Sequence, residues 1–186
     1  MILSIKDAVP KELLEKIKCG VTDELLARSS GTLGSYNRVG KTLNISTTPE
    51  LAELDTQICE FINKLSAEVI KYKFIPQFAS GDSGYEFHRY GPGDMCFVHS
   101  DGECSFNDNN TSLLRYATVV LHLNTVKIGG ETVFPHQNKS FPTIEGQALI
   151  FPPYGGYPHY VTPSAEKRDI LMTWMVYNNI TVSRTM

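Results

Sequence analysis

The chain has 186 residues, 41% hydrophobic and 20% charged, a balance ordinary for a globular protein with room for one sizeable core. Its 17 basic and 20 acidic residues give a net charge of −3, and no Lys/Arg cluster stands out, which argues against a nucleic-acid surface. No apolar run reaches the length of a membrane span, and the opening MILSIKDAVPKELLEK carries acids and a proline where a secretory signal needs an apolar stretch. The four cysteines, Cys19, Cys59, Cys96 and Cys104, show no CxxC spacing, so the expectation is reduced thiols in a cytoplasmic protein.

The pattern predicts a single domain over 1–186, with 1–75 mostly helical support and 76–186 a β-rich core. Asp7 precedes AVPKELLEKIK, with Pro10 near a first helical turn. A longer helix begins at Thr48-Pro49-Glu50, a cap followed by proline at the first helical position. From there Leu51, Leu54, Ile58, Phe61, Ile62, Leu65, Val69 and Ile70 recur at helical spacing and define one face for burial.

After Phe74 the character changes. Short apolar or alternating runs (YEFHRY, MCFVH, LLRYATVVLHLN, ETVF, QALIFPP, HYVTP and DILMTWMVY) are separated by breaks such as GPGD, NDNN, KIGG and PPYGG. Seven or eight short strands at this rhythm predict a sandwich, barrel or jelly roll, with the helices covering one sheet from outside. The polar loop from Glu103 to Ser112 reads either as a lid or as a solvated hairpin loop.

Within GDMCFVHSDG, His99 and Asp101 stand two residues apart, and on a strand they project together with Met95 and Phe97 behind them. An imidazole and a carboxylate at this spacing suit two neighbouring positions on a metal or an ordinary His–Asp hydrogen bond. An open non-haem Fe(II) site needs a second histidine from a distant strand. His88 sits before a turn, His136 lies in a polar loop, and His122 is embedded in an apolar strand. His159 opens the strand HYVTP after the bend PPYGGYP.

The text after His159 reads as strand, short turn at SAEK, then strand. Arg168, Ile170, Met172 and Trp174 share a face of the second strand, while Lys167 falls on the other. An arginine among bulky apolar residues calls for an anion to meet it. With a tight turn Arg168 pairs near Pro163, about 13 Å along the strand from His159. Its guanidinium suits bidentate carboxylate recognition.

From about Tyr85 to Tyr177 the sequence resembles the 2-oxoglutarate- and Fe(II)-dependent dioxygenases of the prolyl 4-hydroxylase type. The matching pieces come in the family's order: YGPGD then HSD, RYATVVLHLN, GGETVFP, GQALIFPP and HYVTPSAEKRDILMTWM. The resemblance implies a mainly β protein with supporting N-terminal helices, a double-stranded β-helix (jelly roll) whose mouth holds iron. It implies His99, Asp101 and His159 as iron ligands and Arg168 as the group that takes the distal carboxylate of 2-oxoglutarate. Tyr90 matches a tyrosine lining the cosubstrate pocket, and His122 falls where many members carry a tyrosine that reaches the same carboxylate. Thr132 and Trp174 match positions close to the pocket. Structural roles stand beside these: Tyr90 and Trp174 as core aromatics, His122 as a buried histidine bonded to a neighbour, Thr132 as a plain strand residue.

Two departures from the family pattern stand out. Many prolyl 4-hydroxylases use a lysine about ten residues after the distal histidine as the anchor; here Arg168 takes that place, with Lys167 the alternative that strand parity disfavours. A tyrosine often precedes the HxD motif, where Met95, Cys96 and Phe97 offer no hydroxyl. The implied activity is hydroxylation of a prolyl residue in a peptide or protein, using Fe(II), 2-oxoglutarate and O2 (with ascorbate as a possible reductant) and releasing succinate and CO2. The same chemistry on a free amino acid or another residue type is the alternative, and a non-catalytic jelly-roll binding protein the third reading.

Overall fold

A computed structural model describes residues 1–29, 40–70, 81–102, 104–106 and 112–177. Along the chain run β1 (Leu3–Ile5), α1 (Lys11–Gly20), α2 (Asp23–Ser29), β2 (Lys41–Asn44) and α3 (Ala52–Ile70). They are followed by β3 (Gly81–Asp82), β4 (Glu86–Tyr90), β5 (Cys96–His99), β6 (Cys104–Phe106) and β7 (Ser112–His122). The last third holds β8 (Thr132–Phe134), β9 (Lys139–Phe141), β10 (Ala148–Phe151), β11 (His159–Val161) and β12 (Arg168–Tyr177). The long helix starts where the cap signal puts it: Pro49–Leu51 form a 3₁₀ turn that leads into α3.

The strands make two antiparallel sheets, the jelly-roll arrangement expected. The larger runs β1-β10-β7-β12-β4-β2, with β3 beside β12 and β6 beside β7; the smaller runs β5-β11-β8-β9. Alternation on the central strands of the larger sheet builds two cores at once. Ala117, Val119 and Leu121 of β7 and Leu171 of β12 join Leu14, Ile58 and Ile62 of the helices in one cluster. Val120, Ile170 and Met172 point the other way and meet Phe134, Phe151 and Val161 in a second. Burial on both faces explains why these two strands read as nearly continuous apolar runs although their pairing is antiparallel.

Three features of the sequence reading need correction. Leu3–Ile5, in a third of the chain read as helical, is an edge strand paired with β10 (Leu3 opposite Ile150). Its three residues are too few for periodicity to declare it. Secondly, β11 and β12 do not form a hairpin. They belong to different sheets, and Arg168 lies opposite Tyr90 of β4 rather than near Pro163. Thirdly, strand parity fails at β5. His99 pairs with His159 and Cys96 with Val161, so three steps on β5 face two on β11. The extra residue of such a bulge shifts which side chains face inward. Cys96 is buried beside the cleft, while Phe97 and Val98 are 50% and 60% exposed.

Of the loop read either as a lid or as a solvated hairpin loop, residues 103 and 107–111 lie outside the described residues, while β6 pairs with β7. Among the described residues no helix is long and apolar enough to cross a membrane.

The helical layer is held to the sheet by buried apolar contact, and Ile58 in α3 is fully buried. Ile58→Ala is expected to destabilise the fold by about 2–5 kcal/mol, the cost of a large-to-small core substitution. Denaturant unfolding monitored by far-UV circular dichroism measures it; a loss under about 0.5 kcal/mol, typical of surface sites, contradicts this packing.

Candidate metal centre and anion pocket

Pairing of β5 with β11 sets His99 directly opposite His159, and their rings approach to 4.4 Å between centroids. Asp101, just past the end of β5, brings Oδ1 to 3.5 Å from His99 Nε2 and 3.8 Å from His159 Nε2. The three ligand atoms all lie within 4.8 Å of one another.

The far side of each of these groups is already engaged. His99 Nδ1 lies 2.8 Å from the Phe97 carbonyl and His159 Nδ1 lies 3.2 Å from the Tyr157 carbonyl. A proton on each Nδ1 satisfies those carbonyls and leaves both Nε2 lone pairs facing the centre. Asp101 Oδ2 accepts the Thr118 hydroxyl at 2.5 Å, while the buried Oδ1 has no hydrogen-bond donor among the described residues. Outer contacts of this kind fix tautomer and orientation in metal-binding histidines and carboxylates. Two imidazoles and one carboxylate on one side of a site, with the other side open to a cleft, are the donor set of non-haem Fe(II) centres.

The charges fit that arrangement. Burial opposes the charged form of His99, but Asp101, with help from Cys96 and the Phe97 carbonyl, raises its pKa to about 10. Burial likewise opposes the charged form of Asp101, but the two histidines and Thr118 together hold its carboxyl well below the usual range. A dication entering here takes the place of the protons that now balance the carboxylate.

Asp101 is also held through its backbone: Arg115 Nη1 donates to its carbonyl at 2.7 Å. The Arg115 guanidinium in turn lies 3.8 Å from the centre of the Trp174 ring. Trp174 is absent from the cleft lining; it supports the site from behind, through Arg115.

A cleft joins the three candidate ligands to Arg168. Tyr90, Cys96, Thr118 and Thr132 also line it, as do Ile170 and Met172. Arg168 is 1% exposed and has no acidic partner among the described residues. Its Nε donates to Thr143 Oγ1 at 2.9 Å and its Nη2 to Thr132 Oγ1 at 3.4 Å, while Nη1 has no partner among the described residues. Tyr90 presents its ring 5.3 Å from the guanidinium carbon. Burial lowers the Arg168 pKa, opposed by Tyr90 and Cys96. A buried cation with one free N–H edge is costly unless an anion meets it, and the cleft is where that anion fits. Lys167 is exposed and bonded to Asp169 on the other side of the strand.

His122 is fully buried, outside the cleft lining, with Nδ1 3.1 Å from Gln147 Oε1 and Nε2 without a partner among the described residues. His88 bonds Glu86 within the sheet and His136 is exposed. Thr118, Thr143 and Arg115 go unnoticed in the sequence reading. Alternation along LLRYATVVLHLN puts Thr118 on the His122 face, but nothing in the text pairs it with Asp101 seventeen residues earlier.

The glycines of KIGGETVF meet a close backbone approach. A Cβ on Gly129 (φ +75°) would stand 2.0 Å from the Pro163 carbonyl oxygen, beside the Gly129–Ser164 bridge. Gly130 adjoins the Arg168 side chain, and its carbonyl accepts the hydroxyl of Thr143.

These features define, on a jelly-roll frame, a candidate metal site joined by a cleft to a buried guanidinium. The family model of the 2OG-Fe(II) oxygenase superfamily matches residues 85–176. No curated protein matches the chain by sequence. Among solved structures, a Pseudomonas putida prolyl-4-hydroxylase is similar at TM-score 0.72 and 20% identity, over 96% of this chain and 93% of that one. A viral collagen prolyl hydroxylase from Paramecium Bursaria Chlorella virus-1, in its 2OG complex, gives TM-score 0.68 and 18% identity, over 94% and 95%. A Trichoplax adhaerens prolyl hydroxylase, in complex with a hypoxia inducible factor oxygen degradation domain peptide fragment, gives 0.71 and 19%, over 95% and 83%. The chain belongs to the 2OG-Fe(II) oxygenase superfamily, with a prolyl hydroxylase-like fold. It is a dioxygenase whose cofactor and cosubstrates are Fe(II), 2-oxoglutarate and O2.

Thr118→Val keeps the side-chain shape and removes the hydroxyl that fixes Asp101. It is expected to weaken Co(II) or Zn(II) binding by about 10–100-fold, as loss of an outer-shell partner does. Isothermal titration calorimetry on the purified variant checks this; unchanged affinity argues against the role given to Thr118.

Proposed function

We propose that His99, Asp101 and His159 hold Fe(II) and that Arg168 takes the distal carboxylate of 2-oxoglutarate, with Thr132, Tyr90 and His122 around it. The observation that carries this reading is the meeting, in one cleft, of three convergent donor atoms and a buried guanidinium with no counter-charge among the described residues. Iron held there with 2-oxoglutarate and O2 would supply the oxidising chemistry, one oxygen atom of O2 going to the substrate and the other to the succinate formed with loss of CO2.

The chain's own residues bind and orient. Arg168 fixes the far end of the cosubstrate, a contribution of proximity and alignment. Thr143 and Thr132 hold the guanidinium so that Nη1 stays turned to the cleft. The apolar wall of Ile170 and Met172 keeps bulk water from the pocket. Trp174 serves the site through Arg115 and the Asp101 backbone.

The proposed substrate is a prolyl residue in a peptide or protein. Supporting it are the prolyl hydroxylases to which the fold is similar, one of them bound to a peptide fragment. In addition, Phe97 and Val98 stand exposed beside His99, an apolar rim next to the candidate iron.

Anaerobic titration of the apo-protein with Fe(II) and 2-oxoglutarate tests the site. Wild type should develop the visible charge-transfer band of the chelate. His159→Ala should abolish it, and Arg168→Ala should demand about 100-fold more 2-oxoglutarate, the worth of a buried charge-assisted contact. No band in folded wild-type protein sinks the assignment. Mass spectrometry of proline-rich peptides and free amino acids then separates the substrate classes by which gains an oxygen atom.

A further inference from the structure

His122 lies opposite Ile170 of β12, so it shares the inward face on which Arg168 stands two residues away. Two buried polar atoms there have no partner among the described residues: His122 Nε2 and Arg168 Nη1. The other ring nitrogen, Nδ1, is crowded. Gln147 Oε1 lies 3.1 Å from it, and the Ile144 backbone N–H points at it from 3.4 Å. At its far end the Gln147 amide meets Ser4 Oγ on β1 at 2.6 Å.

The imidazole and the Gln147 amide can be set in two ways. In one, Nδ1–H donates to Gln147 Oε1, and Nε2 is a bare acceptor. That setting aims the Ile144 N–H at a nitrogen already carrying a proton, and it offers a lone pair to any incoming anion. In the other, the Gln147 amide is turned over, so that its NH2 donates to Nδ1 and its oxygen accepts from the Ser4 hydroxyl. The serine can donate or accept, so it satisfies either setting. Now Nδ1 accepts from both Ile144 and Gln147, and the proton sits on Nε2. The charged imidazolium is excluded by burial first and by the Arg168 charge second, which lower the His122 pKa to about 3 against the bond to Gln147.

We propose that Gln147 is a positioning residue: anchored on Ser4, its amide donates to His122 Nδ1 and holds the neutral imidazole as the Nε2–H donor to the distal carboxylate of the cosubstrate. This rests on the 2-oxoglutarate reading above. Arg168 Nη1 and His122 Nε2–H then supply one charged and one neutral donor to the same group. His122 binds; Gln147 acts only through it.

The test uses ¹⁵N-labelled Zn(II)-loaded protein with 2-oxoglutarate, whose binding is measured by calorimetry. Long-range ¹H–¹⁵N spectra report which ring nitrogen carries the proton. With ligand bound, wild type should show the proton on Nε2 of His122. Gln147→Met, which fills the space and cannot donate, should mix the tautomers and weaken 2-oxoglutarate binding about tenfold, with Zn(II) affinity unchanged. In the His122→Gln background, where the amide donor at 122 has no tautomer, Gln147→Met should cost nothing further, a coupling read by the double-mutant cycle. Ligand bound in an Arg168-dependent manner with the proton on Nδ1, or a Gln147→Met variant that leaves tautomer and affinity unchanged, overturns the proposal alone. No binding of 2-oxoglutarate to wild type overturns the cosubstrate reading and this proposal together.

Discussion

Two-sided burial of β12 is the constraint on which the rest of the molecule depends. From Arg168 to Val176 every residue of that strand is buried. One face packs under the helices, and the other forms the wall of the cleft. Because alternation is strict, the strand cannot shift by one residue without turning Ile170 and Met172 out of the inner core and Leu171 out of the outer one. The register that stability demands is therefore also the register that puts Arg168 inside.

Arg168 is where the fold carries a cost. Among the described residues, a guanidinium held among Ile170, Tyr90 and the two threonines gains only neutral hydrogen bonds, and no carboxylate balances it. Asp169 next along the strand faces the other way and bonds Arg89 through two parallel contacts at 2.8 and 2.9 Å. The same alternation separates a saturated ion pair from an unsaturated cation one residue apart. An unsatisfied buried charge is a site prepared for a ligand of opposite sign. The candidate metal centre follows the same logic: the Nδ1 atoms of His99 and His159 and Oδ2 of Asp101 are engaged on the outer side, and the remaining donor atoms converge on one point.

Much of the architecture was legible in the chain. Helical spacing from Leu51 onward gives α3, and the cap at Thr48-Pro49 marks its approach. HSD, His159 and Arg168 stand in a recognisable order, and parity separates Arg168 from Lys167. Legibility stopped where contacts join distant segments. Thr118 meets Asp101, Thr143 meets Arg168, and Gln147 meets both His122 and Ser4. Each of these is a hydroxyl or amide that has an ordinary reading as a strand or turn residue. Parity itself misled at β5, because a bulge leaves no mark in composition.

The sequence by itself determined the strand rhythm, the helical face and which side chains carry metal-binding and anion-binding chemistry. These are local properties, set by side-chain periodicity and by the donor atoms each residue owns. Only the tertiary structure decided that β11 and β12 part into different sheets, that Cys96 rather than Phe97 faces the cleft, and that Trp174 lies outside the cleft lining against Arg115. Sheet pairing and bulges are selected by the packing of the whole core, where energies of many residues are shared and no short stretch of chain specifies the outcome.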